Sequence, residues 1–119
     1  MPFTISKEFA FSAAHSLAGV PVGHPCARLH GHNYVVRVEL STPFVDRVGF
    51  VRDYRELAPV KAYIDDQLDH RNLNDALDGL NPTAENLARH LFDLFKPAIP
   101  ELSAVAVSET PKTWAVYRP

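Results

Sequence analysis

From residue 3 to residue 15 the chain alternates between two kinds of side chain. Phe3, Ile5, Phe9, Phe11, Ala13 and His15 fall on one parity and Thr4, Ser6, Glu8 and Ser12 on the other, with Lys7 alone out of step. Period-two alternation is the pattern of a strand that buries one face. This strand ends in a histidine on its apolar side. A second alternating run begins at His30 and continues through His32, Tyr34, Val36 and Val38 to Leu40. Between the runs, Gly19, Pro21, Gly23 and Pro25 disfavour regular structure. Cys26, the only cysteine, therefore sits at the end of a loop just before a strand.

After a turn around "STPFVDRVGF", the segment "DYRELAPVKAYIDDQLDH" sets Leu57, Val60, Ile64 and Leu68 at helical spacing, with Asp53 as the expected cap. Pro59 fits that helix only in its first turn or at a kink. A second helix is expected over "NPTAENLARHLFDLFKP", with Leu87, Leu91, Leu94 and Phe95 on one stripe between Pro82 and Pro97. Two short strands, 102–109 and 113–118, close the chain around "TPK". The order β-β-α-α-β-β predicts an α+β fold, a four-stranded antiparallel sheet with two helices on one face.

A length of 119 residues, 46% of them hydrophobic and 22% charged, predicts one domain over residues 1–119. Repeats, low-complexity segments and linkers are absent. A formal charge of −2, with six histidines uncounted, gives no basic field for nucleic acid. The amino end, "MPFTISKEFAF", lacks the basic and apolar regions of a signal peptide, and no uncharged apolar run approaches the roughly 18 residues of a membrane span. A soluble protein is expected. A lone cysteine cannot form an internal disulfide, which points to a reducing compartment, the cytoplasm.

In a strand, residues i and i+2 point the same way about 6.5 Å apart, so two imidazoles can converge on one cation. His30 and His32 meet that condition, and His15 swings beside them if the two strands are antiparallel neighbours. Three neutral imidazoles with an open fourth position describe a catalytic zinc site; with Cys26 as the fourth ligand the site would be closed and structural. Spacing leaves both open. "LDHRNLN" sets Asp69 beside His70 at a helix end, either a proton-relay pair or a helix-terminal cap. Glu109 ends an otherwise apolar strand, at the solvent rim or facing a ligand whose paired N–H donors match a carboxylate. His90, Trp114 and Arg118 are read as packing and surface.

Together His15, "CARLHGH", "LDHRNLN", "NPTAENLA" and "SETPKTWAVY" make the chain similar to the 6-pyruvoyltetrahydropterin synthase family, within it most like the bacterial 6-carboxytetrahydropterin synthases of queuosine biosynthesis. The match runs in order over nearly the whole chain. The resemblance implies the tunnelling fold, with three subunits pooling four-stranded sheets into a barrel, two trimers stacked as a hexamer, and active sites between subunits. It implies zinc on His15, His30 and His32, Cys26 as catalytic thiol, Asp69 and His70 as its relay partners, and Glu109 anchoring the pterin ring. The implied substrate is 7,8-dihydroneopterin triphosphate. One branch releases triphosphate and acetaldehyde to give a 6-carboxy pterin; the other loses only triphosphate. The loop "VGHPCARLHGH" favours the carboxy branch, with His24 assigned to the loop and a role toward substrate open to it. Arg28 or a neighbouring subunit's Lys or Arg would meet the triphosphate.

A non-catalytic oligomeric module, in which zinc only stabilises the loop, is the competing class. A cupin-like metalloenzyme also begins with His-x-His, but needs a Glu a few residues on; Glu39, seven residues away, fits poorly.

Overall fold

The computed structural model describes residues 1–119. The first alternating run forms β1 (Phe3–His15) and the second β2 (His30–Thr42), paired antiparallel from Phe3 opposite Thr42 to His15 opposite His30. Two strands of thirteen residues at about 3.3 Å per residue set the long dimension of the molecule, 55 × 25 × 25 Å. One side of the pair is apolar: Phe9, Phe11, Tyr34, Val36, Val38 and Leu40 are buried there. Thr4, Ser6 and Glu8 on the other side are exposed.

The first expected helix is a composite. Asp53 accepts from Arg55 N and caps a 3-10 turn, Tyr54–Leu57; this runs into α1 (Ala58–Tyr63) and ends in a π turn, Ile64–Leu68. Pro59 lies in the first turn of α1, where its missing N–H costs nothing. Leu57, Val60, Ile64 and Leu68 are all buried, so the apolar stripe survives the changes of pitch.

Next come β3 (Arg71–Asn72), α2 (Leu73–Ala76) and α3 (Ala84–Phe95), then β4 (Leu102–Thr110) and β5 (Thr113–Tyr117). Thr83 caps α3 by accepting from Asn86 N, and Leu87, Ala88, Leu91 and Phe92 face the sheet. Strand and helix side chains join in one core cluster of 22 buried residues. No helix is long and apolar enough to cross a membrane.

The expectation of four antiparallel strands needs correction. The sheet has five, in the order β3-β1-β2-β4-β5, and it is mixed, because β3 runs parallel to β1 beside Ala13 and Ala14. A two-residue strand has no alternation to detect. It exists because His70 takes a left-handed backbone, φ +58°, and donates its N–H to Ser12 O at 2.7 Å, which turns the chain along β1. The four-residue α2 also escaped the helix pattern, being shorter than two turns. β3 covers only the end of β1, so most of β1 and all of β5 remain open edges.

Candidate metal centre and catalytic site

Because His15 stands opposite His30 and Ala13 opposite His32, the antiparallel register places all three imidazoles on the helix-covered face. Their ring centres lie 4.6, 5.0 and 4.9 Å apart, nearly edge to face. One ligand atom from each falls within 4.8 Å of the others, and neither Cys26 nor a carboxylate belongs to the group. The cluster can hold a metal ion.

Tautomers sharpen that fit. His15 Nδ1 lies 2.7 Å from Pro82 O and His30 Nδ1 lies 2.7 Å from Arg28 O. A carbonyl only accepts, so each Nδ1 carries the proton and each Nε2 offers a lone pair. The Tyr34 hydroxyl, 3.1 Å from His15 Nδ1, shares that proton as a second acceptor. The two Nε2 atoms face each other at 3.0 Å. Two lone pairs at that distance repel unless a cation or a proton lies between them. His32 Nε2 is shut off from solvent and makes no hydrogen bond, since Glu109 Oε2, although 3.1 Å away, lies out of line. Burial pushes the His32 pKa down against the opposing pull of Glu109, and the neighbouring imidazoles add to the depression. At pH 7 His32 is therefore neutral, with a lone pair to offer a cation. Three such nitrogens suit zinc and other imidazole-preferring divalent ions.

Cys26 is half-buried in a 3-10 turn, Pro25–Ala27, in the loop that joins His15 to His30. Gly23, at φ +85°, makes the reversal that starts the turn. Asp69 and His70 do form a pair: His70 Nδ1 is 3.0 Å from Asp69 Oδ2, and Asp69 Oδ1 accepts from Ser12 N at 3.0 Å. The His70 imidazole is 83% exposed. It borders an open depression of about 550 Å³ with Ser12, Gly31, His32, Asn33 and Arg71. Glu109 borders a smaller cavity, about 180 Å³, with Glu85, Val107 and Trp114.

The Ser12 N–H, seconded by His70, holds the Asp69 carboxyl below the usual carboxylate range. Folding thus favours the ionised form, so its contribution to stability is complete above the unfolded carboxylate range, about pH 4. It is lost as pH falls through the lower folded value. The difference in urea midpoint between the wild type and Asp69→Asn is expected to narrow from about pH 5 to about pH 3; a constant difference would mean that the carboxylate charge plays no part.

Residues read from the sequence as packing behave so. His90 Nε2 meets the Tyr63 hydroxyl at 3.0 Å and ties α3 to α1. The Arg37 guanidinium lies 4.3 Å from the Trp114 ring centre, and Arg118 pairs with Glu39 at 2.9 Å. Glu39 is on the opposite sheet face from the histidines, which removes the cupin-like arrangement. The hydroxyl of Tyr34 beside His15 was missed from the sequence; its even spacing with His30 and His32 was the available signal.

The profile described as 6-pyruvoyl tetrahydropterin synthase matches residues 4–119. A 6-carboxy-5,6,7,8-tetrahydropterin synthase of Synechocystis is 37% identical, with 95% of this chain and 91% of that protein covered. A 6-pyruvoyl tetrahydrobiopterin synthase of Dictyostelium discoideum is 36% identical, with 96% and 94% covered. Among solved structures, the 6-pyruvoyl tetrahydropterin synthase of Caenorhabditis elegans superposes with a TM-score of 0.86 at 30% identity, covering 98% of this chain and 95% of that one.

Proposed function

The chain belongs to the 6-pyruvoyl tetrahydropterin synthase family, and from that premise we propose that it is a zinc-dependent lyase converting 7,8-dihydroneopterin triphosphate to 6-carboxy-5,6,7,8-tetrahydropterin, with release of acetaldehyde and triphosphate. The observation that carries this is the convergence of three imidazole lone pairs while the chain's single thiol, in the loop between two of them, stays outside the ligand set. A structural site would have used the thiol to close the fourth position.

His15, His30 and His32 would hold the ion, the rings of His15 and His30 being oriented by Pro82 O and Arg28 O and the His32 Nε2 being left free of any hydrogen bond. When bound, zinc supplies Lewis acidity toward hydroxyl oxygens of the substrate side chain. Cys26, as thiolate, takes a proton from carbon and returns it. Asp69 orients His70, whose exposed ring relays protons at a site completed by a neighbouring subunit. Glu109 accepts from the paired N–H donors of the pterin ring, a charge-assisted two-point contact. Arg28 is exposed and available to the triphosphate.

The single domain assembles through its open edges. Unpaired strand edges at β1 and β5, with a polar sheet face between them, suit closure of three copies into a barrel and stacking of two trimers. The loop "VGHPCARLHGH" supports the carboxy product and a place in queuosine biosynthesis in the cytoplasm.

Product analysis tests this. Zinc-loaded protein incubated with 7,8-dihydroneopterin triphosphate is expected to yield a 6-carboxy pterin and acetaldehyde by mass spectrometry. A 6-pyruvoyl product with triphosphate alone would move the protein to the other branch of its family; no conversion would sink the lyase and leave the zinc-stabilised module.

A further inference from the structure

The strand track of β1 does not stop at His15. Ser16 donates its N–H to Asn74 Oδ1 at 2.8 Å and accepts at its carbonyl from Asn74 Nδ2 at 2.9 Å. Ala18 makes the same two-point contact with Asn81, 2.9 Å through its N–H and 3.0 Å through its carbonyl. In an extended chain, residues i and i+2 present their backbone groups to one edge and residue i+1 to the other. Beyond Asn72 there is no strand on the β3 side, and two asparagine amides, each with one acceptor and one donor, take a strand's place. On the opposite edge Leu17, between the clamped residues, donates its N–H to Cys26 O at 2.8 Å. The Cys26 N–H is also taken: it donates to His24 Nδ1 at 3.0 Å. Cys26 is thus held by both of its backbone groups.

The clamps themselves are anchored. Asn74 belongs to α2, whose Leu73 is buried in the core, and it donates its N–H to Asn72 Oδ1. The Asn81 carbonyl accepts from Thr83 N and from Asn86 Nδ2 at the start of α3. The Asn74 of "LDHRNLN" and the Asn81 of "NPTAENLA" thus connect both helical elements to the thiol's loop.

We propose that His24, Asn74 and Asn81 are positioning residues for Cys26, acting through the backbone of residues 16–18 and the turn 24–27. This rests on Cys26 being the base of the proposed lyase. His24 acts as an acceptor at Nδ1, so its neutral ring, protonated at Nε2, is the working form, and its role is that of a cap rather than a proton carrier.

The experiment compares His24→Ala, His24→Asn, Asn81→Ala and Asn81→Asp with the wild type for metal content, Cys26 alkylation by iodoacetamide, and kcat and KM on 7,8-dihydroneopterin triphosphate. Both alanine variants are expected to keep their metal, alkylate several-fold faster as the half-buried thiol is released, and lose about tenfold to a hundredfold in kcat with little change in KM. In His24→Asn the amide Oδ1 would stand where the imidazole Nδ1 now accepts, so that variant should recover most of both readouts. Asn81→Asp keeps the acceptor for Ala18 N–H but sets a carboxylate oxygen against the Ala18 carbonyl where the amide now donates. It too should alkylate faster and turn over more slowly than the wild type, which keeps the test open if the alanine variant fails to fold. Wild-type alkylation and kcat in folded His24→Ala and Asn81→Ala would overturn the proposal, whether or not their thermal stability falls. So would a His24→Asn variant as slow as His24→Ala with wild-type alkylation, since His24 would then act through its ring on the substrate. If the wild type converts no substrate, the lyase falls, and faster alkylation in the alanine variants still establishes the clamp.

Discussion

Cys26→Ala is expected to keep its metal and to lose turnover by about 10²–10⁴-fold, the span that removal of a positioned general base covers. Metal should stay because the converging ligand atoms come from His15, His30 and His32 and exclude the thiol. The loop should also stay. It is held through Cys26 N–H to His24 Nδ1 and Leu17 N–H to Cys26 O, and alanine retains both groups. The substitution therefore removes Sγ and little else, so a loss of activity reports chemistry rather than architecture. Cys26→Ser should be nearly as slow, because a hydroxyl in place of the thiol gives almost no anion at neutral pH. Measurement is by steady-state turnover and elemental analysis of the same preparation. Released metal, a lowered melting temperature and surviving turnover would together make the thiol a ligand and the site structural.

The long strands and the histidines on them could be read directly because alternation and position are the same fact in a strand. Once Phe9, Phe11 and Ala13 face the core, His15 must too, and His30 and His32 follow by parity on β2. The first helical stripe was legible for the same reason. Of the second, Leu87 and Leu91 are buried as expected, but Leu94 is exposed, and Ala88 and Phe92 fill the core-facing places instead because α3 turns that side of its stripe toward the sheet. The elements that escaped are those fixed by a single residue or by tertiary contact. β3 depends on the left-handed backbone of His70 and a hydrogen bond to Ser12, and α2 is one turn capped by Asn72. The Asp69–His70 pair was visible as a dipeptide, but its attachment to β1 through Ser12 N was not, because that bond spans 57 residues of chain. The asparagine clamps are invisible for the same reason. An Asn signals a turn or a cap locally, and nothing nearby in sequence says that its amide will replace a strand. The choice between carboxy and pyruvoyl products lies finer still, since relatives bearing each name match this chain at 37% and 36% identity.

Metal removal should have its largest effect through the imidazole pair, and His30→Ala separates the two sources of that effect. In the wild type the Nε2 atoms of His15 and His30 face each other at 3.0 Å with both Nδ1 protons committed to carbonyls. A bound ion would take up both lone pairs; without it, the buried His15 nitrogen is an acceptor with no donor, which costs about 1–3 kcal/mol. Chelation should therefore lower the melting temperature of the wild type and abolish turnover, both restored by zinc. His30→Ala should bind the metal far more weakly and be inactive, yet lose much less stability on chelation. In the absence of metal it is expected to be at least as stable as the metal-free wild type, because it removes one of the two opposed lone pairs from a half-exposed position. His15→Ala should not share this relief, since it also vacates a fully buried site and leaves Pro82 O without its donor. Melting curves of the three proteins with and without chelator decide the matter. If metal-free His30→Ala melts well below the metal-free wild type, then the two rings stabilise the fold by sharing a proton, and the pair is not held in readiness for an ion.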